Sequence, residues 1–134
     1  MAPYLASDAE CETSSDKFLT ALCHIVTPVG MLGYGFDASL IQATLADLKT
    51  KSPNIPTALI LDSGSTDSGP AKLALGGMTC PRSAYERDIG QLMSLAHDFD
   101  VPILISSAGG DGTDKHVDAF LDIIQEQCDL VGNE

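Results

Sequence analysis

The feature that most constrains the fold is a pattern that the chain repeats three times: a short apolar run, a polar loop rich in glycine, and a longer segment with apolar residues at helical spacing. Continuous apolar runs of this length are typical of strands buried in a parallel sheet. The three runs are 21–27 (ALCHIVT), 57–61 (TALIL) and 101–106 (VPILIS). The repeat therefore predicts βαβ units and a parallel sheet with helices packed on it, in a Rossmann-like or flavodoxin-like, three-layer arrangement.

The helical segments carry their own start signals. Asp37 is placed to cap a helix over 37–49, because its side chain can accept the first free backbone N–H groups. Ser83 followed by Glu86 resembles a capping box and predicts a helix over 83–97. The last helix is predicted over 115–128, with Thr113 or Asp114 as its cap. We expect 71–81 to be irregular.

Three strands make a thin sheet with open edges. Unpaired edges are usually covered, so we expect oligomerisation or another chain to complete this one. The length of 134 residues fits one domain, predicted over 21–130. Residues 1–20 are small and acidic with little periodicity, and we expect them to form a flexible arm.

The charge balance restricts the classes of partner. With 7 basic and 19 acidic residues the formal net charge is −12, and such a field repels nucleic acid and anionic membranes. A small acidic metabolite would need locally arranged donors. The four cysteines form no pair with zinc spacing, which predicts free thiols, no structural metal site and a reducing, cytoplasmic environment.

Three polar loops follow the predicted strands, and ligands of parallel α/β sheets bind at that edge. Loop 1 (27–36, TPVGMLGYGF) has three glycines and precedes a helix, so Gly33 and Tyr34 are candidate binding residues. It matches neither of the common phosphate-binding glycine motifs. Nucleotide binding here and a tight crossover loop without a ligand are the two interpretations.

Loop 2 (62–70, DSGSTDSGP) has the densest set of polar groups. Asp62 and Asp67 are candidates for acid–base work or metal binding, and Ser65 and Thr66 are candidates for substrate binding. The same residue types are also favoured in ordinary Asx and Ser/Thr turns. Both interpretations remain open at this point.

Loop 3 (106–114, SSAGGDGTD) leads into the last predicted helix. Its backbone at Ser107, Gly109 and Gly110 is a candidate site for a carboxylate or a developing oxyanion. His116, on the first helical turn, is a candidate acid or base. A solvated surface histidine is the alternative.

The loop strings 27–36, 62–70 and 107–110, in this order, resemble the acyclic terpene utilisation AtuA-like family, and Arg87, Asp88 and His116 also fit its pattern. The resemblance spans about 24–127. Members of that family are several times longer, so this sequence is similar to their N-terminal part. The family takes its name from operons that degrade branched isoprenoid acids, such as citronellate and geranate, through CoA thioesters.

The resemblance implies an enzyme of small-acid or acyl-thioester metabolism. Together with the loops it predicts a lyase, hydratase or isomerase that works by proton transfer, with Asp62, Asp67 and His116 as catalytic residues. The cofactor is left open between none, a divalent metal and a CoA thioester. The alternative is a subunit without catalysis of its own, which binds a ligand or completes the active site of a companion chain.

Overall fold

The fold is described from a computed structural model for residues 21–65 and 67–131. This part of the chain contains three strands and four helices. In order they are β1 (His24–Val26), α1 (Ala38–Lys51), β2 (Thr57–Asp62), α2 (Gly69–Leu75), α3 (Arg82–Phe99), β3 (Ile103–Ser106), a single 3₁₀ turn (Ala108–Gly110) and α4 (Asp114–Val131). The predicted arm over 1–20 lies outside the described residues.

The strands form one parallel sheet in the order β1-β2-β3. Ile25 pairs with Ala58 and Leu59 pairs with Ile103. The prediction of an α/β protein with a parallel sheet is confirmed. The two strand-to-strand connections both carry helices, as parallel pairing requires.

The long helices cover one face of this sheet. Helix α3 contacts both α1 and α4, so the three lie side by side. The strand residues that point toward them, including Val26, Leu59 and Leu61, are buried. On the opposite face Ile25 and Leu104 are 61% and 51% exposed. The described residues therefore form two layers, and the third layer expected from the sequence is not among them.

Local signals predicted some helix boundaries and missed others. Asp37 caps α1 as expected, because its carboxylate accepts the N–H groups of Ser39 and Leu40. The prediction of a capping box at the start of α3 was wrong. Glu86 accepts a hydrogen bond from Arg82 at 2.7 Å, and Pro81 occupies the N-cap position without a side-chain hydrogen bond. Helix α2 was also missed, because it is short and buries none of its residues. In the described part of the chain, no helix has the length and apolar character to cross a membrane.

Loop 1 is fixed by a carboxylate on α3. Asp88 is fully buried, and its Oδ2 accepts the N–H groups of Gly33 at 2.8 Å and Gly35 at 3.0 Å. Arg87 donates to Asp88 Oδ1 at 2.8 Å and to the carbonyl of Gly33 at 3.3 Å. Both glycines have positive φ, a backbone conformation that would be strained in a residue with a side chain. The loop therefore takes its shape from a residue more than fifty positions away.

We predict that Asp88→Ala lowers the free energy of unfolding by about 2–4 kcal/mol, since it leaves two loop N–H groups without their charged acceptor. Urea unfolding followed by circular dichroism measures this change. The matched control is Asp98→Ala, an exposed carboxylate on the same helix, which should stay within about 0.5 kcal/mol of wild type. Equal effects of the two substitutions would contradict the anchoring role of Asp88.

Candidate functional site at the strand ends

The three loops meet at the edge of the sheet where the strands end. The N–H of Leu32 in loop 1 donates to the carbonyl of Asp62 at 2.8 Å, and the N–H of Ser63 donates to the carbonyl of Ser106 at 3.0 Å. These bonds extend the pairing of the strands into the loops. Loop 2 thus lies between loops 1 and 3 and contacts both.

Asp62 is the carboxylate at the centre of this edge. Its Oδ1 accepts the N–H of Gly64 and the hydroxyl of Ser106, both at 3.0 Å. Partial desolvation favours the neutral acid, but these bonds and the nearby Ser107 hydroxyl outweigh it and lower the pKa of Asp62 below its usual value. The side chain is exposed, so an ionised, oriented carboxylate is presented to solvent.

Loops 2 and 3 touch at Gly64. A Cβ on this buried glycine would lie 2.6 Å from the carbonyl oxygen of Gly110 and 2.8 Å from the Cβ of Ser107. Neither neighbour is the end of a flexible side chain. The close approach of the two loops therefore requires glycine at this position.

Loop 3 has a backbone that is unusual for its sequence. Ser107 has φ 52° and ψ 44°, in the left-handed region, although it is not glycine. Gly109 also has positive φ, and a Cβ there would meet the ring of His116 at 2.7 Å. Backbone strain of this kind is concentrated at functional sites. The turn directs the chain from β3 across the strand ends and into α4.

A carboxylate–imidazole pair lies just beyond this turn. His116 Nδ1 and Asp111 Oδ1 are 2.6 Å apart, and the two side chains are 3% and 1% exposed. The N–H of Thr113 has the largest effect on the pKa of Asp111 and lowers it. The His116 ring and the Thr113 hydroxyl lower it further. Desolvation of the carboxylate opposes them, but the pKa of Asp111 still lies below its usual range. Because Asp111 is held as the anion, it accepts a hydrogen from Nδ1, and Nε2 lies outside this pair. The alternative of a solvated surface histidine is wrong.

Two residues beside loop 3 were not identified from the sequence. The N–H of Thr79 donates to the carbonyl of Gly109 at 2.8 Å. The stem of Lys72 lies over Gly110, and its ammonium group donates to the carbonyl of Met78 at 3.3 Å. Lys72 belongs to the short helix that the sequence did not reveal, so no local pattern related it to loop 3. Asp111 belongs to the loop 3 string but is not among the predicted site residues.

The structure brings together only part of the predicted set. Asp62, Ser107, Gly109, Gly110 and His116 lie at the contact of loops 2 and 3, and with Asp111 we call them the strand-end cluster. The N–H of Gly110 is used within the turn, where it donates to the carbonyl of Ser107 at 2.7 Å.

The other predicted residues have different surroundings. The N–H of Gly33 donates to Asp88 and is therefore not free to bind an anionic ligand. The Tyr34 side chain is 66% exposed. Ser65 bonds Ser68 within its own turn, as the turn interpretation predicts. Asp67 is exposed in the same turn, and no hydrogen bond among the described residues links it to loop 1 or loop 3. Thr66 lies outside the described residues.

Unpaired polar atoms lie in the cluster and beside it. Thr79 Oγ1 and Asp111 Oδ2 are among the buried atoms of 21–65 and 67–131 that have no hydrogen-bond partner. Buried polar atoms are usually paired, so a water molecule or a ligand group is expected beside them. The same part of the chain contains no group of three or more histidine, cysteine or acidic side chains that could hold a metal ion.

A hollow of about 180 Å³ lies at the opposite end of the sheet, where Lys49, Thr57 and Phe99 are among its lining residues. Thr57 begins β2, whereas Asp62 ends it. None of the predicted site residues lines this hollow, which is therefore separate from the strand-end cluster.

We predict that Gly64→Ala destabilises the fold by about 1–3 kcal/mol, because the added methyl group forces loops 2 and 3 apart. Gly30→Ala is the matched control, since Gly30 is exposed and a methyl group there would have no neighbour within 4 Å. Urea unfolding of both variants measures the difference. A Gly64→Ala protein as stable as Gly30→Ala would show that the loops do not pack as described.

We predict a pH-dependent effect of Asp111→Asn. The pKa of Asp111 is lower in the folded state than the ordinary value of 3.8, so its stabilisation is fully present above that value and is lost as the pH falls through the folded-state pKa. Wild type should therefore exceed Asp111→Asn in unfolding free energy at about pH 6, and the gap should narrow by about pH 3. A gap that is constant or widens toward acid would contradict this.

No protein-family model, no curated protein and no solved structure matches the chain. The resemblance of the three loop strings to the AtuA-like family stays a prediction from the sequence.

Proposed function

We propose that the chain is an enzyme, or a subunit of one, that acts on a small carboxylic acid or its acyl thioester by proton transfer at the strand-end cluster. The reaction class is that of a lyase, hydratase or isomerase. The resemblance to the AtuA-like family supports this substrate class. The geometry of loops 2 and 3 supports the proton transfer.

The observation that carries the proposal is the contact between Asp111 and His116. A carboxylate on Nδ1 fixes the ring and its tautomer, and it stabilises the imidazolium that forms when Nε2 takes a proton. In the proposed reaction, His116 removes a proton from the carbon next to the substrate carbonyl and returns one later. Asp111 acts through His116 and is a positioning residue. Because the ring is buried beneath Gly109, substrate access requires loop 3 to shift.

Asp62 has a different role in this scheme. Its lowered pKa makes it a weak base, but an ionised carboxylate that is held by Gly64 and Ser106 can accept a hydrogen bond from a substrate hydroxyl or bound water. The loop 3 backbone at Ser107 and Gly109 would face the carboxylate or enolate oxygen. Asp67 remains a candidate for the base only if loop 2 closes over the substrate.

Lys72 supplies a positive charge beside the cluster. With a net charge of −12, the chain repels an anionic substrate, so binding needs a local cation. The Lys72 stem lies against Gly110, and its ammonium group needs only to leave the Met78 carbonyl to reach an anion at loop 3. The small acidic metabolite expected from the sequence fits this arrangement.

The test is hydrogen exchange at the carbon next to the carboxyl group. The protein is incubated in D₂O with branched and unsaturated carboxylic acids and with their CoA thioesters, and loss of the α-proton signal is followed by NMR. We predict exchange catalysed by wild type and a loss of about 10²–10⁴-fold in His116→Gln. Asp62→Asn should also lose activity, and Lys72→Met should raise KM for the free acid.

Asp67→Asn and Lys49→Met are the comparison variants, because Asp67 lies in the exposed turn and Lys49 lies at the opposite end of the sheet. Lys49→Met should leave exchange unchanged. If Asp67→Asn abolishes exchange while His116→Gln retains it, the base is assigned to the wrong residue. Absence of exchange with every acid and thioester contradicts catalysis by this chain alone.

A partner subunit is the second candidate function, and the uncovered face of the sheet favours it. Parallel sheets are normally covered on both faces, yet Ile25 and Leu104 are more than half exposed here. In this case a companion chain would supply the third layer of a Rossmann-like or flavodoxin-like sheet. Exchange that appears only after a companion polypeptide is added would distinguish this function from the first.

A further inference from the structure

The free edge of β3 is a second surface with defined chemistry. Among the described residues, β3 pairs with β2 on one side only. Its residues Ile103, Leu104, Ile105 and Ser106 carry no charge, and charged edge residues are the usual protection against pairing with another strand. With respect to residues 21–65 and 67–131, the outer side of the strand is therefore open to hydrogen bonding.

The direction of each backbone group on this edge follows from the pairing with β2. The carbonyl of Pro102 accepts from Leu59 at 2.9 Å, and that of Ser106 accepts from Ser63 at 3.0 Å. In a parallel ladder the residues alternate between the two sides, so Pro102, Leu104 and Ser106 face β2. The N–H and C=O groups of Ile103 and Ile105 then face outward. Pro102 has no N–H, but its backbone faces β2, so the missing donor does not affect the outer edge.

An apolar groove continues the same edge on the helix side. It has a volume of about 310 Å³ and lies between β3, α3 and α4, with Ile103, Ile105, Val117 and Leu121 among its lining residues. Val117 and Leu121 are 40% and 57% exposed. The outer edge of β3 therefore offers hydrogen-bonding groups beside an apolar surface from α4, and a two-fold contact would present the same groups from both copies.

We infer that two copies of this chain pair through β3 in an antiparallel arrangement about a two-fold axis at Leu104. In this register Ile103 of one copy opposes Ile105 of the other, and each outward N–H finds an outward C=O. Leu104 opposes its own copy at a position without hydrogen bonds, where the Cα atoms are about 4.5 Å apart. The two α4 helices then meet over the groove through Val117 and Leu121. A second copy fits because the edge is complementary to itself.

The negative net charge of each copy makes this contact depend on the salt concentration. Each copy carries −12, and Asp118 and Asp122 follow Val117 and Leu121 on α4. Repulsion between the copies is screened by salt, whereas the contact itself is neutral. The dimer should therefore tighten between about 20 mM and about 300 mM NaCl. This inference does not depend on the proposed activity.

Disulfide trapping tests the register. In a chain with Cys11, Cys23 and Cys128 replaced by serine, Leu104→Cys should give a disulfide-linked dimer under mild oxidation, because the predicted Cα separation of about 4.5 Å lies within disulfide range. Leu40→Cys is the matched control, since Leu40 is 63% exposed on α1. Equal trapping of the two variants, or none with Leu104→Cys, overturns the register.

Light scattering on a size-exclusion column tests the contact without a cysteine. Wild type should be dimeric at about 300 mM NaCl, and Leu121→Glu should weaken association about tenfold or more, while Leu40→Glu leaves it unchanged. Circular dichroism checks that the variants are folded. A wild-type monomer at about 200 µM under these conditions, or equal effects of the two glutamates, contradicts the inference.

Discussion

Asp62 is the residue through which the three loops are joined, because it accepts hydrogen bonds by both its backbone and its side chain. Its carbonyl accepts the N–H of Leu32 from loop 1, and its carboxylate accepts the N–H of Gly64 and the hydroxyl of Ser106. The strand before it pairs with both neighbours, so the position of these acceptors is set by the sheet. The strand-end cluster is thus an extension of strand pairing.

A second carboxylate stabilises the same edge from the helix layer. Asp88 compensates for its burial with two loop N–H groups and Arg87, as buried charges require. Asp88 also occupies backbone N–H groups of loop 1 that could otherwise bind an anionic ligand. Gly33 and Gly35 of loop 1 therefore serve a close packing against α3, and the proposed chemistry is assigned to loops 2 and 3.

Sequence periodicity predicted the strands, the long helices and the edge at which the loops gather, because these depend on local spacing of apolar residues. It identified Asp62 for the same reason, as the first polar residue after a buried run. It could not show that His116 is buried against Gly109, that Lys72 lies over Gly110, or that Gly33 is occupied by Asp88. Those contacts join residues that are seven to fifty-five positions apart, and only the folded backbone relates them.

The edge of β3 and the strand-end cluster are parts of one element. Ile103 and Ile105 present the outward groups of the strand, and Ser106 and Ser107 follow directly with the donor to Asp62 and the left-handed turn. In the described part of the chain β3 is paired on one side only. Fraying of this strand would move Ser106 away from Asp62 and release loop 3. Pairing of β3 with a second copy would oppose that motion. The order of the cluster, including the packing of His116 against Gly109, would then depend on whether a second strand pairs with the outer side of β3.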